Sequence, residues 1–157
     1  LYDPVAAAAL SSAGVGESRC LSIGGRTDPS VGGGPLEVTG TVRAISDGAF
    51  RFAGPLWSGL PGSTGRSVCL RVAGIDVMIV SENLQMLDLN MFRAVGIEPA
   101  EKSIVALKSM QHFRGAFEPI AGRVLVVDAG GLCTPDVTRR AYHRLRRPVF
   151  PLDLIDA

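Results

Sequence analysis

Residues 36–80 hold three strand-like runs broken by glycine-bearing turns, two of them alternating apolar and polar side chains, and that pattern with that punctuation commits this part of the chain to β-structure. In the first run, residues 36–45, Val38 and Val42 mark the alternation. Asp47-Gly48 then supplies a tight-turn dipeptide before Phe50 and Phe52, which predicts a hairpin. Residues 53–65 contain Gly54-Pro55, Pro61-Gly62 and Gly65 and read as a long surface loop that pins down Trp57. Residues 66–72 alternate again, Gly74 turns the chain, and residues 75–80 are apolar at nearly every position. These two runs predict an outer strand followed by a buried one.

Helical signals flank this block. Asp3-Pro4 ahead of Val5, four alanines and Leu10 reads as an N-cap, a first helical residue and a short helix closed by Gly14. Residues 14–34 hold seven glycines and form a loop region with one strand-like piece at 20–23. After Asp88 the spacing of Leu89, Phe92 and Val95 is helical, and Gly96 ends it. A strand at 104–107, a helix at 109–120 and a strand at 124–127 complete the reading. The expected class is α/β of the mixed α+β kind: a central mixed sheet, an N-terminal hairpin region, and a C-terminal β-α-β-α-β part whose helical crossovers favour parallel pairing.

With 157 residues, 46% hydrophobic and 20% charged, the chain has the balance of one globular domain covering residues 1–157 and not of a disordered segment. A net charge of +1 gives no global field toward nucleic acid or an anionic membrane, and the apolar run at residues 5–10 is far too short to span a bilayer. Cys20, Cys69 and Cys133 are odd in number and lack CxxC spacing, so they read as small core residues of a protein in a reducing compartment, which makes the expected location cytoplasmic. The first residue is Leu1 rather than methionine, so a processed chain or a piece of a longer protein is expected.

Ligands in open α/β sheets gather beyond the carboxyl ends of strands, which directs attention to the polar residues after each late strand. Lys108, Ser109, His112 and Arg114 follow the strand expected at 104–107. If Ser109 caps the next helix, the free N–H groups of that helix, with Lys108 and Arg114, form a site for a carboxylate or an oxyanion. A purely structural reading stands beside it, in which Ser109 caps while His112 and Arg114 tie down a neighbouring loop. Ser81, Gln85 and Asp88 are weaker candidates, and Asp88 is well placed as a helix N-cap. Asp128 with Gly130-Gly131 reads as a tight turn, and Thr134-Pro135-Asp136 as another cap. His112 and His143 lack neighbours at metal-ligand spacing, so no metal ligand is assigned in this chain and no cofactor is expected in it. Nothing local supports Cys133 as a thiol nucleophile. Arg139, Arg140, Arg144, Arg146 and Arg147 have only Tyr142 among them, which suits salt bridges better than nucleic acid. The segment from Pro148 to Asp153 is extended by its prolines and is expected to pack along the domain.

Taken in order, Gly-Pro-Leu-Glu-Val at 34–38, Asp47-Gly48-Ala49-Phe50, residues 81–88, Val-Gly-Ile-Glu-Pro at 95–99, Lys-Ser-Met-Gln-His-Phe-Arg at 108–114 and Arg-Arg-Pro-Val-Phe-Pro-Leu-Asp at 146–153 resemble the C-terminal domain of the MlrC family, the metallopeptidases of microcystin degradation. The chain departs from that pattern at Glu82 and Asn83, where arginine is expected, and at Gly115, where alanine is expected. The resemblance implies a C-terminal domain that completes the substrate cleft of a zinc-dependent metallopeptidase or amide hydrolase, or braces it, and that is inactive alone. It implies zinc in an N-terminal domain absent from this sequence, which would be its partner together with a peptide or amide substrate. No nucleic acid or membrane partner is expected. Two other readings remain open here: a structural or homo-oligomerising module, and a small self-contained enzyme using Lys108 and His112.

Overall fold

A computed structural model describes residues 1–27, 33–129 and 136–154. Helix α1, Pro4–Ala13, opens where the sequence places it: the Asp3 carboxylate accepts from the Ala6 N–H at 3.0 Å, proline occupies the first turn, and Gly14 ends the helix at φ +96°. Six strands follow, β1 (Ser18–Ile23), β2 (Leu36–Ser46), β3 (Ala49–Arg51), β4 (Pro61–Ser63), β5 (Ser67–Val72) and β6 (Ile75–Val80). Helices α2 (Leu89–Arg93) and α3 (Arg114–Phe117) come later, with short 3-10 turns at Pro99–Glu101, Glu118–Ile120 and Val137–Arg139.

The main sheet has the order β1-β2-β5-β6 with every pair antiparallel, and β3-β4 form a separate ribbon. The period of two divides the apolar residues of β5 and β6 between two cores. Val68, Leu70 and Ile79 pack under α1 with Ala6, Ala7, Leu10 and Val42, while Cys69, Met78 and Val80 pack with Met91, Val95 and Ile97.

The expected class of mixed α and β stands, with corrections in its detail. The sheet is antiparallel rather than mixed. The Asp47-Gly48 turn forms, with the Asp47 carboxylate accepting from the Ala49 N–H at 3.0 Å, yet it does not join paired strands. Both edges of β2 are already taken by β1 and β5, so β3 pairs with β4 from inside the expected loop. Gly48, at φ +77°, is required there because a Cβ would run into the Gly65 carbonyl oxygen. Strand β5 is internal rather than outer, and β6 is the edge. The first residues cover that edge: Leu1 donates from its amino group to the Met78 carbonyl at 2.7 Å, Val80 donates to the Leu1 carbonyl at 2.9 Å, and Asp3 donates to the Val80 carbonyl at 3.0 Å.

The C-terminal β-α-β-α-β part is the largest correction. Residues 104–107 and 124–127 are not strands, because apolar periodicity makes a strand only where a partner supplies the ladder and no described strand pairs with them. The helix expected at 109–120 shrinks to the four residues of α3 and the 3-10 turn after it, where Pro119 lacks the N–H that an α-helical ladder would use. The tail does not pack as expected: Phe150 is 77% exposed and Leu154 98%. It is a local turn clasped by Asp153, which accepts from the Val149 N–H at 2.7 Å and pairs with Arg147. Cys69 is buried as expected, but Cys20 is exposed on an edge strand. Cys133, Gly130, Gly131, Thr134 and Pro135 lie outside the described residues; Asp136 caps the turn at Val137–Arg139 by accepting from the Thr138 N–H at 3.1 Å.

Candidate functional site: a glutamine-bridged serine and histidine

The approach to α3 carries the candidate site. Gln85 lies in the irregular segment between β6 and α2, and its side-chain Nε2 donates to the Ser109 Oγ at 3.0 Å. Its Oε1 lies 3.1 Å from the His112 Nδ1. With the amide oriented this way Oε1 can only accept, so the neutral imidazole carries its proton on Nδ1 and presents Nε2 as an acceptor. Ser109, already accepting from Gln85, keeps its own hydroxyl hydrogen to donate. Gln85 and His112 are exposed and Ser109 is half-buried, so the group faces solvent.

The four residues expected to converge do so in part. Ser109 and His112 come together, with Gln85 as the bridge. Lys108 is exposed and makes no hydrogen bond or ion pair among the described residues. Arg114 turns elsewhere: its guanidinium pairs with Glu118, donates to the Gln111 Oε1 at 3.0 Å and sits 5.3 Å from the Phe113 ring centre. Ser109 does not cap a helix, since α3 begins five residues later and its N-cap, Phe113, makes no side-chain capping bond. His112 therefore precedes the helix, and a helix of four residues supplies no anion-binding terminus. Ser81 stays apart, its N–H donating to the Arg66 carbonyl at 3.0 Å.

Asp88 is the structural N-cap that the sequence favoured. It is fully buried and accepts from the N–H groups of Asn90 at 2.8 Å, Ala53 at 2.9 Å and Gly54 at 2.6 Å, which fastens the loop after β3 to the start of α2. Beside it, Gly115 packs so closely on Pro55 that a Cβ would lie 2.6 Å from the ring. That contact accounts for glycine at this position.

A second polar cluster lies on β5 and β6. The Asp76 carboxylate is paired with Arg71 and accepts from the Lys102 Nζ at 2.8 Å, and these cations, Arg71 first, hold its pKa down at about 2 against its burial. The Cys69 thiol points to Asp76 at 3.7 Å and is pushed up to about 11 by burial and then by that carboxylate, which makes it an inert thiol at neutral pH. Both clusters lack the makings of a metal centre: among the described residues no three histidine, cysteine, aspartate or glutamate side chains gather as a metal site requires. No helix among the described residues is long and apolar enough to cross a membrane.

Sequence reasoning gave Gln85 too little weight. Its partners lie 24 and 27 residues away, and no periodicity links them. The pairing of Arg114 with Glu118 was legible in their i, i+4 spacing.

Comparison with known proteins bears on the family and the fold. The chain is 31% identical over 156 residues to Microcystinase C of a Sphingomonas species, covering 98% of this chain and 28% of that protein. Its fold matches a solved structure from Mesorhizobium sp. BNC1, described as a candidate metallopeptidase, with a TM-score of 0.77 and 24% identity over 100% of this chain and 31% of the other. The chain thus spans less than a third of the length of either relative. The family model described as the MlrC C-terminus matches residues 1–144, and the chain belongs to that family.

Proposed function

We propose that this chain is the part of a metallopeptidase-type hydrolase that lines and braces the substrate cleft, and that it is not catalytic alone. The observation that carries this reading is the solvent-facing group of Gln85, Ser109 and His112, with the exposed Lys108 next to Ser109 in the chain, in a domain whose relatives extend far beyond it. A serine hydroxyl, a lysine ammonium and, when protonated, a histidine all donate, so the group suits an anionic oxygen such as the carboxylate of a peptide or the oxyanion that forms when an amide is attacked. The described residues do not fit the zinc ion that the family implies, so a metal would be held by the remainder of the longer protein and no step of the reaction is assigned through it here. Gln85 positions the imidazole, and Lys108 supplies charge that no described carboxylate offsets.

The reading of a self-contained enzyme has less support, because the cluster contains no carboxylate to orient the histidine and no activated nucleophile. Elemental analysis with turnover assays on the 157-residue chain and on a longer protein that contains it tests the proposal. Metal and turnover in the longer protein alone support it; one metal per chain with chelator-sensitive turnover from the short chain overturns it.

A further inference from the structure

Two stretches of this chain have the composition of strands and the exposure of neither strand nor core. Residues 104–108, Ile-Val-Ala-Leu-Lys, alternate in burial, with Ile104, Ala106 and Lys108 exposed and Val105 and Leu107 half-buried. Residues 123–127, Arg-Val-Leu-Val-Val, are an almost continuous apolar run of the kind found in strands covered on both faces. Yet Ile104 is 87% exposed, Leu125 69%, Val126 81% and Val127 79%. Among the described residues neither residues 103–110 nor residues 122–127 make a backbone hydrogen bond. Apolar side chains and main-chain groups bonded to no other part of the chain thus lie open in the same segments: the apolar surface is costly to leave in water, and the hydrated main-chain groups are free to exchange water for the edge of a sheet.

From this we infer that residues 104–108 and 123–127 are strands lent to a β-sheet in the remaining part of the longer protein, joining it by main-chain pairing as well as by apolar contact. The occupant is a sheet edge of the same polypeptide. The matched part makes up only 28% and 31% of the two relatives, which therefore carry a large body of additional chain of the kind that would cover these segments. Backbone pairing rather than helix packing is indicated because the segments are irregular only for want of a ladder, and strand addition satisfies both the main chain and alternate side chains at once. The inference rests on the proposed function in one respect: Lys108 ends the first segment and Ser109 follows it, so docking of the segment would carry the Ser109–His112 group to the boundary between the two parts.

Hydrogen exchange read at individual amides tests it on unaltered proteins. In the 157-residue chain the amides of residues 104–108 and 123–127 are expected to exchange at nearly the rate of an unstructured peptide. In the longer protein the alternate amides of each segment that face the sheet edge are expected to slow by at least a hundredfold. Equal exchange in both proteins overturns the inference, as does protection that arises in the short chain with rising concentration, which would assign the segments to a second copy. Val126→Pro adds a second check: removal of one N–H should lower the Tm of the longer protein and leave that of the short chain unchanged, and an unchanged Tm in both would contradict strand addition. Protection with wild-type kinetics in cluster variants would keep this inference and remove the proposed substrate role; lost kinetics without protection would do the reverse.

Discussion

Gln85 and His112, 27 residues apart in sequence, meet through a single contact of 3.1 Å between Oε1 and Nδ1. That contact fixes which imidazole nitrogen carries the proton, because the same glutamine amide spends its donor on Ser109.

Loss of the glutamine should release the ring. In Gln85→Ala the neutral His112 is expected to shift from the Nδ1–H toward the Nε2–H tautomer, visible in its nitrogen-15 chemical shifts. Stability should change by less than about 1 kcal/mol, since the group faces solvent. A wild-type tautomer in the variant would show that Gln85 does not position the ring.

Asp88→Ala should be far more damaging. It leaves three backbone N–H groups without their carboxylate in a fully buried site, at a cost of about 2–4 kcal/mol in urea denaturation. A cost below about 1 kcal/mol would mean that Asp88 is not the fastening of loop to helix.

Acid should weaken the sheet through Asp76. Its folded pKa is depressed to about 2 from an ordinary value of 3.8, so its contribution is fully present above pH 4 and is lost as pH falls through the interval down to about 2. Asp76→Asn is expected to flatten the stability profile in that window and to cost roughly 1–2 kcal/mol at neutral pH, because both cations are partly screened by solvent. An unchanged acid profile in the variant would contradict the ion-pair account.

Two glycines should separate shape from space. Gly48→Ala places a side chain against the Gly65 carbonyl at positive φ and should cost about 2 kcal/mol or more, whereas Gly96→Ala, at φ +72° with nothing within 4 Å, pays only for its φ, about 1 kcal/mol. Thermal denaturation of the pair checks the difference, and equal costs would contradict the close approach.

The first two-thirds of the fold was legible because its signals are local. Asp3-Pro4 before alanines makes a capped helix, and the alternation in residues 36–46 and 67–72 and the short apolar run at 75–80 make strands whichever neighbour each one finds. Neighbour choice was not legible: the Asp47-Gly48 turn predicts a hairpin, but β2 already pairs on both sides. The last third misled for a related reason. Residues 104–107 and 124–127 carry a strand's composition without a described strand to pair with, so periodicity reported a propensity that this chain alone does not realise. Of the candidate site, Ser109 and His112 were found from residue type and spacing, while the bridge by Gln85 depends on a loop whose path no sequence pattern sets.

Steady-state kinetics of Lys108→Ala and His112→Ala in a longer, metal-bearing protein test the central claim, that this domain contacts the substrate, most directly. Lys108→Ala is expected to raise KM at least about tenfold with little change in kcat if the ammonium holds a substrate carboxylate, and to lower kcat if it meets charge that develops during reaction, with Tm unchanged in either case. His112→Ala should lower kcat/KM by a similar factor. Wild-type kcat and KM in both variants, with or without a lower melting point, would contradict the claim and leave the cluster a surface feature of a bracing domain.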